Sequence, residues 1–473
     1  MSTDVSTEVL VIGGGIAGMV AANVAAQLGK SVLLIERGSE EKYPCNTRWT
    51  GGTFHVCHTD PFSGQENLLQ AIDRTTGGTA RKDVALALAE DSPRFIRWLR
   101  AESIRLISLG GYNTCVLAPP SRIGPGLHWE GLGGDVMLRT LEANLKKRGG
   151  HMQRGTRATA LDRSGQDGIV VQTECDDKTA NFRAQDVIIA DGGFAGDFEM
   201  IASYITPHTK RVLRRNACTA TGDGLRMALA AGAALSNGME NFYGHLLSRN
   251  AMENERLWPR PYLDALVTAC IAVDGDGIRF ADEGLGPNYM ANAVARLKDP
   301  LGSFLVFDQA IWSGPGTSAL IACNPHIPNC GGTMYKAQTI TELAGMAGIP
   351  GANLQHVVDD YNQAVTAGKL QGLSPARHTD RYPALPIKVA PFYALPMCTG
   401  ITHGMGGILI DGNSAVLDKK HEPIPHLYAA GTVTGGLDGG PAIGYVSGLT
   451  KSGVMGLRAA EKIAGAKLSS QRQ

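Results

Sequence analysis

The stretch Glu8–Glu36, EVLVIGGGIAGMVAANVAAQLGKSVLLIE, decides the fold. Glu8 to Ile12 reads as a buried parallel strand. Gly13-Gly14-Gly15-Ile16-Ala17-Gly18 follows and opens a small-residue helix running to about Leu28. Ser31 to Ile35 is a second strand, and it ends at Glu36. Strand, glycine turn, helix, strand and acid stand in the order of a dinucleotide-binding unit. Gly13 permits the tight turn, Gly15 lets the backbone approach a pyrophosphate, and Gly18 lets the helix pack closely on the sheet. The helix N-terminus offers free N–H groups and the positive end of its dipole to the phosphates. Glu36 can accept hydrogen bonds from a ribose diol and would repel a 2′-phosphate, which argues against NADP.

This unit alone does not choose between FAD and NAD; other segments do. Asp186 to Ala190 is another buried strand, ending in Ala190-Asp191-Gly192-Gly193-Phe194. His426 to Ala430 is a further strand ending in Ala429-Ala430-Gly431. A glycine-rich stretch, Gly435 to Gly448, precedes a final helix from Ser452 to about Ile463. A nucleotide domain interrupted by a long insertion and completed by the C-terminal segment is the layout of an α/β, two-dinucleotide-fold flavoprotein.

Composition agrees with a folded protein. The 473 residues include 44 Lys+Arg and 44 Asp+Glu, so no net charge draws the chain to nucleic acid or anionic lipid. Hydrophobic residues make up 43% and charged residues 19%, which excludes a disordered chain. The 60 glycines fall in clusters without a three-residue period, so they belong to tight turns and close backbone approaches. The nine scattered cysteines form no CxxC pair, so neither a disulfide framework nor a metal site is expected. No run of 18 apolar residues predicts a membrane span, and the longest apolar stretch, Ala265 to Val273, is strand-sized. Met1 to Thr7 is polar and does not read as a signal peptide, so the expected setting is a reducing cytoplasm. Ser469 to Gln473 is expected to fray.

The chain resembles the fumarate reductase and succinate dehydrogenase flavoprotein superfamily, which also holds 3-ketosteroid and tricarballylate dehydrogenases. The resemblance runs over essentially the whole chain. Its landmarks are Gly13–Gly18, Asn46-Thr47-Arg48-Trp49-Thr50-Gly51-Gly52, Ala190–Phe194, Thr221-Gly222-Asp223-Gly224, Gly277-Ile278-Arg279-Phe280-Ala281-Asp282-Glu283, His403-Gly404-Met405-Gly406-Gly407 and Ala429–Gly431. Gly435-Gly436-Leu437 and the Gly-Leu-Thr-x-Ser-Gly pattern at Gly448–Gly453 are closest to the tricarballylate dehydrogenase-like branch. The resemblance implies a Rossmann-like FAD domain, 1–236 and 388–473, and an inserted α+β cap domain, 237–387. An amphipathic cap helix is expected over Leu354–Ala367, with Leu354, Val357, Val358, Tyr361 and Ala364 on its apolar face.

It also implies the FAD contacts. Gly13, Gly15 and Gly18 face the pyrophosphate; Glu36, with Arg37 beside it, faces the adenosine ribose. Thr47, Thr50, Gly51 and Gly52 line the pyrophosphate and one flavin face. Ala158 lies against the adenine, and Asp191, Gly192, Asp223 and Gly431 complete the cradle. Gly448 and Leu449 offer N–H groups to the flavin N1–C2=O edge. Thr432 stands where the family usually has a glutamate. Cys45 holds the position of the histidine that often binds FAD covalently in succinate dehydrogenases, so non-covalent FAD is expected.

The implied chemistry is hydride exchange between a substrate carbon and flavin N5, with a proton moved at the neighbouring carbon. His245 and His403 match the two histidines of the family. The proton-transferring arginine is absent, because its place falls at Pro287. The carboxylate-binding arginine is replaced around Gly440-Pro441-Ala442-Ile443. Both losses argue against fumarate or succinate. Tyr445 is the candidate substitute, as base or as hydrogen-bond donor, with Tyr243 behind it. Arg260, in Trp258-Pro259-Arg260-Pro261-Tyr262, is a candidate for a substrate carboxylate and His128 for a substrate-facing group; Arg279 reads as structural.

The expectation is an FAD-dependent oxidoreductase acting on a CH–CH bond of a small organic acid or carbonyl compound. The alternatives are a desaturase of a cyclic ketone, a flavin oxidase or monooxygenase, and an electron-transfer subunit with a separate redox partner. No second GxGxxG in nucleotide-binding context is present, so a stable NAD(P)H site is not expected.

Overall fold

Five parallel strands carry the molecule's nucleotide end. The computed structural model describes residues 5–121, 124–165, 168–175, 178–319 and 321–468. The strand β1 (Val5–Ile12) lies between β2 (Val32–Ile35) and the strand Lys178–Ile189, parallel to both. Leu10 pairs with Leu33 and Val187, and Ile12 with Ile35 and Ile189. His151–Gln153 extends the sheet beyond β2, and Pro423–Ala429 extends it beyond Lys178–Ile189. The C-terminal segment thus completes a sheet that the N-terminus begins. Val9 to Ile12 and all of β2 are buried, as strands covered on both faces must be. The strand expected at Asp186 starts eight residues earlier, because its first half pairs antiparallel with Ile169–Cys175 before entering the parallel core.

The glycine turn leads into α1 (Ile16–Gln27), whose residues from Ile16 to Ala25 are all buried. Small residues let the final helix close on α1 and on the helix Lys82–Ala101. In the final helix, Leu449–Ala464, a Cβ at Gly456 would run into the Ala17 carbonyl oxygen, and one at Gly453 into the Phe95 ring. This helix begins at Leu449, three residues before the expected Ser452, with Gly448 as its N-cap.

A second, mainly antiparallel sheet stands over the first. Its spine is the 13-residue strand Phe392–Gly404, which pairs with Phe242–Ser248, Phe304–Asp308, Tyr335–Ala337 and Leu213–Arg214. Two of these strands, 213–214 and 392–404, lie outside the expected insertion of 237–387 although their hydrogen bonds belong to its sheet. The apolar run Ala265–Val273 is not one strand. It divides into a short helix, Asp264–Val267, and the strand Ile271–Val273, broken where the chain turns at Thr268 to Cys270. The helix expected at Leu354 spans Gly351–Ala367 and buries Leu354, Val358, Tyr361 and Ala364, with Val357 at the margin. Among the described residues no helix is long and apolar enough to cross a membrane. Ser469 to Gln473 lies outside the described residues.

Candidate active site

One cavity of about 430 Å³ runs from the glycine turn of the first sheet to the spine of the second. At the first end, Glu36 Oε2 accepts the Gly14 N–H at 2.8 Å and Oε1 accepts the Gly38 N–H at 2.8 Å. Burial pushes the Glu36 carboxyl up, against the pull of these two N–H groups. Each oxygen keeps a lone pair for a ribose hydroxyl. A Cβ at Gly13 would meet the Ala190 carbonyl oxygen at 2.5 Å, so that glycine is required by the protein itself. A Cβ at Gly15 would meet only Thr47 Oγ1, at 3.5 Å. The space above Gly15 is therefore left open for something other than protein. Glycine is the N-cap of both α1 and the final helix; Thr47 Oγ1 accepts the Ile16 N–H at 3.1 Å and Ser447 Oγ the Lys451 N–H at 3.4 Å, and the other first-turn N–H groups, such as those of Ala17 and Leu449, have no partner among the described residues.

Two aspartates border this cradle, and their surroundings shift them in opposite directions. Asp223 accepts from Arg157 Nε and Nη2 at 2.8 Å each and from Arg226 Nη2 at 2.8 Å. Burial raises its pKa, but the arginines outweigh burial and bring it down to about 2. Asp191 Oδ2 accepts the Gly224 N–H at 2.7 Å, while Oδ1 is buried without a partner. Burial lifts this carboxyl to about 7, eased by the Gly224 N–H and reinforced by Asp223. Arg37 stands at the rim and donates to Thr219 O at 3.0 Å and Thr221 Oγ1 at 2.6 Å. Burial pushes the Cys45 thiol, also on the wall, up to about 11, so it is protonated and a weak nucleophile at neutral pH. An open glycine wall, an acid with free lone pairs and glycine-capped helix ends fit a dinucleotide cofactor.

The second end is aromatic and holds two unpaired cations. The register of the second sheet sets Tyr243 directly opposite His403, with a bulge between Tyr243 and Gly244. His403 Nδ1 donates to the Gly404 carbonyl at 3.0 Å. Burial lowers its pKa to about 4, so at neutral pH the ring is neutral and Nε2 carries a lone pair. It is therefore a hydrogen-bond acceptor at Nε2. His245 lies between Asp264 Oδ2, at 2.8 Å from Nδ1, and the Tyr243 hydroxyl, at 3.0 Å from Nε2. Both its nitrogens are engaged by protein, so it acts on its surroundings through Tyr243. Burial depresses its pKa, with Asp264 opposing.

Tyr445 reaches the same point from the loop before the final helix. The carbonyls and amides of Gly439 and Gly444 close this loop on itself, at 2.9 and 2.7 Å. Asp438 anchors it by accepting the Val446 N–H at 2.8 Å and pairing with Lys451 Nζ at 3.0 Å. That ion pair is buried. Burial and the neighbouring Tyr243 push the Tyr445 phenol well up, so it stays a donor.

Arg215 and Arg260 complete the wall. Neither has a carboxylate within ion-pair distance among the described residues, and both point at Tyr262. Arg215 Nη2 donates to the Tyr262 hydroxyl at 2.5 Å and Arg260 Nε at 3.0 Å. The Tyr262 ring stacks on His245 at 4.0 Å.

Of the residues named from the sequence as cofactor or catalytic positions, all line the cavity except Gly18. A Cβ at Gly18 would strike the Gly13 carbonyl, so this glycine serves the helix-to-strand approach and does not face the pyrophosphate. Arg260 and Tyr243 line the cavity, whereas His128 does not. Arg279 pairs with Glu283 at 2.6 Å in the interior. The sequence reading missed Arg215, Asp264, His55, His58 and Tyr112 on the wall. No motif marks them, since each is brought in by pairing across the second sheet or by loops folded beneath it.

The family model described as FAD binding domain matches residues 8–444. A cytochrome-type fumarate reductase of Shewanella frigidimarina is 28% identical over 454 residues, covering 93% of this chain and 74% of that protein. Vinyl phenol reductase of Lactiplantibacillus plantarum is 26% identical over 489 residues, covering 93% of this chain and 94% of that one. The solved 3-ketosteroid Δ1-dehydrogenase of Sterolibacterium denitrificans superposes with a TM-score of 0.72 at 20% identity, covering 97% of this chain and 99% of the other. At that identity the likeness is one of fold.

Proposed function

The chain belongs to the FAD binding domain family, and from that premise we propose that it is an FAD-dependent oxidoreductase that reduces a carbon–carbon double bond beside a carboxyl or carbonyl group. The observation that carries this reading is the single cavity joining the dinucleotide cradle to the Tyr243–His245–His403–Tyr445 cluster. Relatives named as reductases of fumarate, vinyl phenol and urocanate, each matching more than nine-tenths of the chain, support the reaction type.

Gly13, Gly15, Glu36, Thr47, Asp191, Asp223, Gly431 and the start of the final helix would hold the FAD, non-covalently. The bound flavin supplies the hydride. The chain supplies the rest. Tyr445, kept protonated by burial, donates a hydrogen bond to the activating oxygen of the substrate. His403, neutral, accepts from a donor group of the substrate and adds no positive charge to the two guanidinium groups already on the wall. The Asp264–His245 pair fixes the Tyr243 phenol, and Tyr243 in turn backs the Tyr445 ring. The second sheet and its helices act as the cap that excludes water.

The test is steady-state turnover of the flavin-loaded protein with reduced methyl viologen as electron donor. The panel is fumarate, acrylate, urocanate, cinnamate, 4-vinylphenol, aconitate and a cyclic enone. Viologen oxidation matched by an equal loss of one alkene supports the reading; oxidation by none of them contradicts it.

A further inference from the structure

None of the groups assigned so far is a good acid toward carbon. Burial pushes Tyr445 and Tyr243 up, and at neutral pH neither His403 nor His245 carries a spare proton. We propose that Tyr262, clamped between Arg215 and Arg260, is the proton donor, and that the free Arg260 guanidinium edge holds the carboxylate of an unsaturated monocarboxylic acid next to it. This inference rests on the reductase reading above.

The argument is one of lone pairs. Guanidinium groups donate and never accept. Arg215 Nη2 at 2.5 Å and Arg260 Nε at 3.0 Å therefore both donate to the Tyr262 oxygen and use its acceptor capacity. The Tyr262 O–H proton has no acceptor among the described residues, and the residue lines the cavity. The proton must find its acceptor in what occupies the cavity. The same two cations favour the phenolate that remains after donation. Burial raises the Tyr262 pKa, but Arg215 and Arg260 outweigh it, and this tyrosine ionises below its ordinary value. It is the one tyrosine of the cluster shifted that way.

Arg215 is held in place by donating to Pro259 O at 3.1 Å and to Thr402 Oγ1 at 2.7 Å, so its role is to polarise Tyr262. Arg260 makes only the Nε hydrogen bond, and its Nη2 lies on the cavity wall beside Gly51, where an added Cβ would meet it at 3.0 Å. Arg260 is half-buried on the cavity wall with no carboxylate beside it among the described residues, and its planar fork suits an anionic ligand. One such edge suits one carboxylate, and among the described residues lining the cavity no further arginine without a carboxylate partner is present at the aromatic end beyond Arg215 and Arg260.

In the step, the Tyr262 O–H bond breaks and a C–H bond forms at the α-carbon, next to the bound carboxylate. The O–H electron pair stays on the phenolate oxygen. A bound reduced flavin would be the reductant and would supply the hydride for the β-carbon, and solvent would return the proton to Tyr262. The α-carbon is the one that a carboxylate makes basic, so donor and anchor belong side by side.

The groups facing the Tyr262 phenol are Arg215, Arg260, His245, Asp264, Tyr112 and Tyr243. His245 is neutral and Asp264 is engaged by it, so the two arginines dominate. Reduction needs the phenol protonated, so its rate falls as pH rises through the lowered Tyr262 pKa.

The test has two arms on the flavin-loaded full chain. In protein carrying Cζ-13C tyrosine, one resonance titrates below the ordinary tyrosine value near 10. That resonance vanishes in Tyr262→Phe and titrates higher in Arg260→Gln. With the best alkene of the panel, Tyr262→Phe keeps KM and lowers kcat by about 10²–10⁴-fold, without the alkaline limb. Tyrosines that all titrate at or above the ordinary value overturn the proposal, as does an early resonance that survives in Tyr262→Phe. Wild-type turnover with an unimpaired Tyr262→Phe overturns the proton-donor assignment alone. A wild-type protein inert toward every alkene overturns both the assignment and the reductase reading.

Discussion

The rings of Tyr243 and Tyr445 stack with centroids 3.8 Å apart and planes 15° from parallel. Tyr243 comes from the second sheet and Tyr445 from the loop that ends the nucleotide domain, so the two halves of the chain meet at the reacting end of the cavity. Tyr445→Phe keeps this stack and removes only the donor. It lowers alkene reduction by about 10²–10³-fold, the usual cost of one oxyanion-stabilising donor, while flavin content stays at wild-type level. Tyr445→Ala adds the loss of the stack, about 0.5–1.5 kcal/mol, which a thermal melt reads as a lower midpoint.

The Asp438–Lys451 pair decides where that loop sits. Lys451→Met leaves a buried carboxylate without its cation and destabilises the fold by about 3–5 kcal/mol in a urea titration. Asp438→Asn with Lys451→Met removes both charges and keeps an acceptor for the Val446 N–H. The double variant recovers most of the lost stability. If the two single effects simply add, the ion pair does not hold the loop.

Gly15 and Gly18 differ in kind although both belong to the glycine turn. An added Cβ meets ordinary van der Waals space at Gly15 and backbone at Gly18. Gly15→Val therefore folds with an apoprotein melting point near wild type and purifies without flavin. Gly18→Val destabilises the apoprotein itself, by about 1–3 kcal/mol, because α1 must move off β1. A yellow, stoichiometrically flavinated Gly15→Val protein contradicts the pyrophosphate assignment.

Two buried histidines tie stability to pH. Burial brings His403 down to about 4, and burial with the neighbouring His58 brings His55 down to about 3. Both folded values lie below the unfolded value near 6.5, so the unfolded chain binds more protons in this range. The stability they contribute is present above pH 6.5 and is lost as pH falls toward these folded values. The melting point of wild type drops over that acid range, and His403→Gln flattens part of the drop. His403→Ala keeps its flavin and slows alkene reduction, and the wild-type rate shows no limb at the ordinary imidazole pKa.

The nucleotide half of the fold was legible because its signals are local. Gly13 to Gly18 and Glu36 lie within one strand–helix–strand unit, and every contact they make is near in sequence or in the same sheet. His403 and Tyr445 were legible from flanking glycine motifs. Arg215 and Asp264 were not, because their neighbourhood is made by pairing strands some 150–190 positions apart, such as Leu213–Arg214 with Gly400–Ile401 and Phe242–Ser248 with Met397–Gly404. The family arginines expected at Pro287 and around Gly440–Ile443 are absent from the sequence, yet the aromatic end of the cavity carries two guanidinium groups. Arg215 and Arg260 bring that charge in from elements that no motif connects. The strand that follows the expected boundary at 387 was not legible either: the prolines before Phe392 stand out in the sequence, while the pairing of Phe392–Gly404 with the second sheet does not.

The most direct test of the central claim is anaerobic absorbance of the flavin-loaded protein after photoreduction to the bleached state. The claim predicts that one unsaturated acid of the panel restores the oxidised flavin spectrum with a stoichiometry of one alkene per flavin, and that the saturated acid appears in equal amount. A spectrum that stays bleached with every alkene and returns only on admitting dioxygen, with hydrogen peroxide released, would contradict it and identify an oxidase.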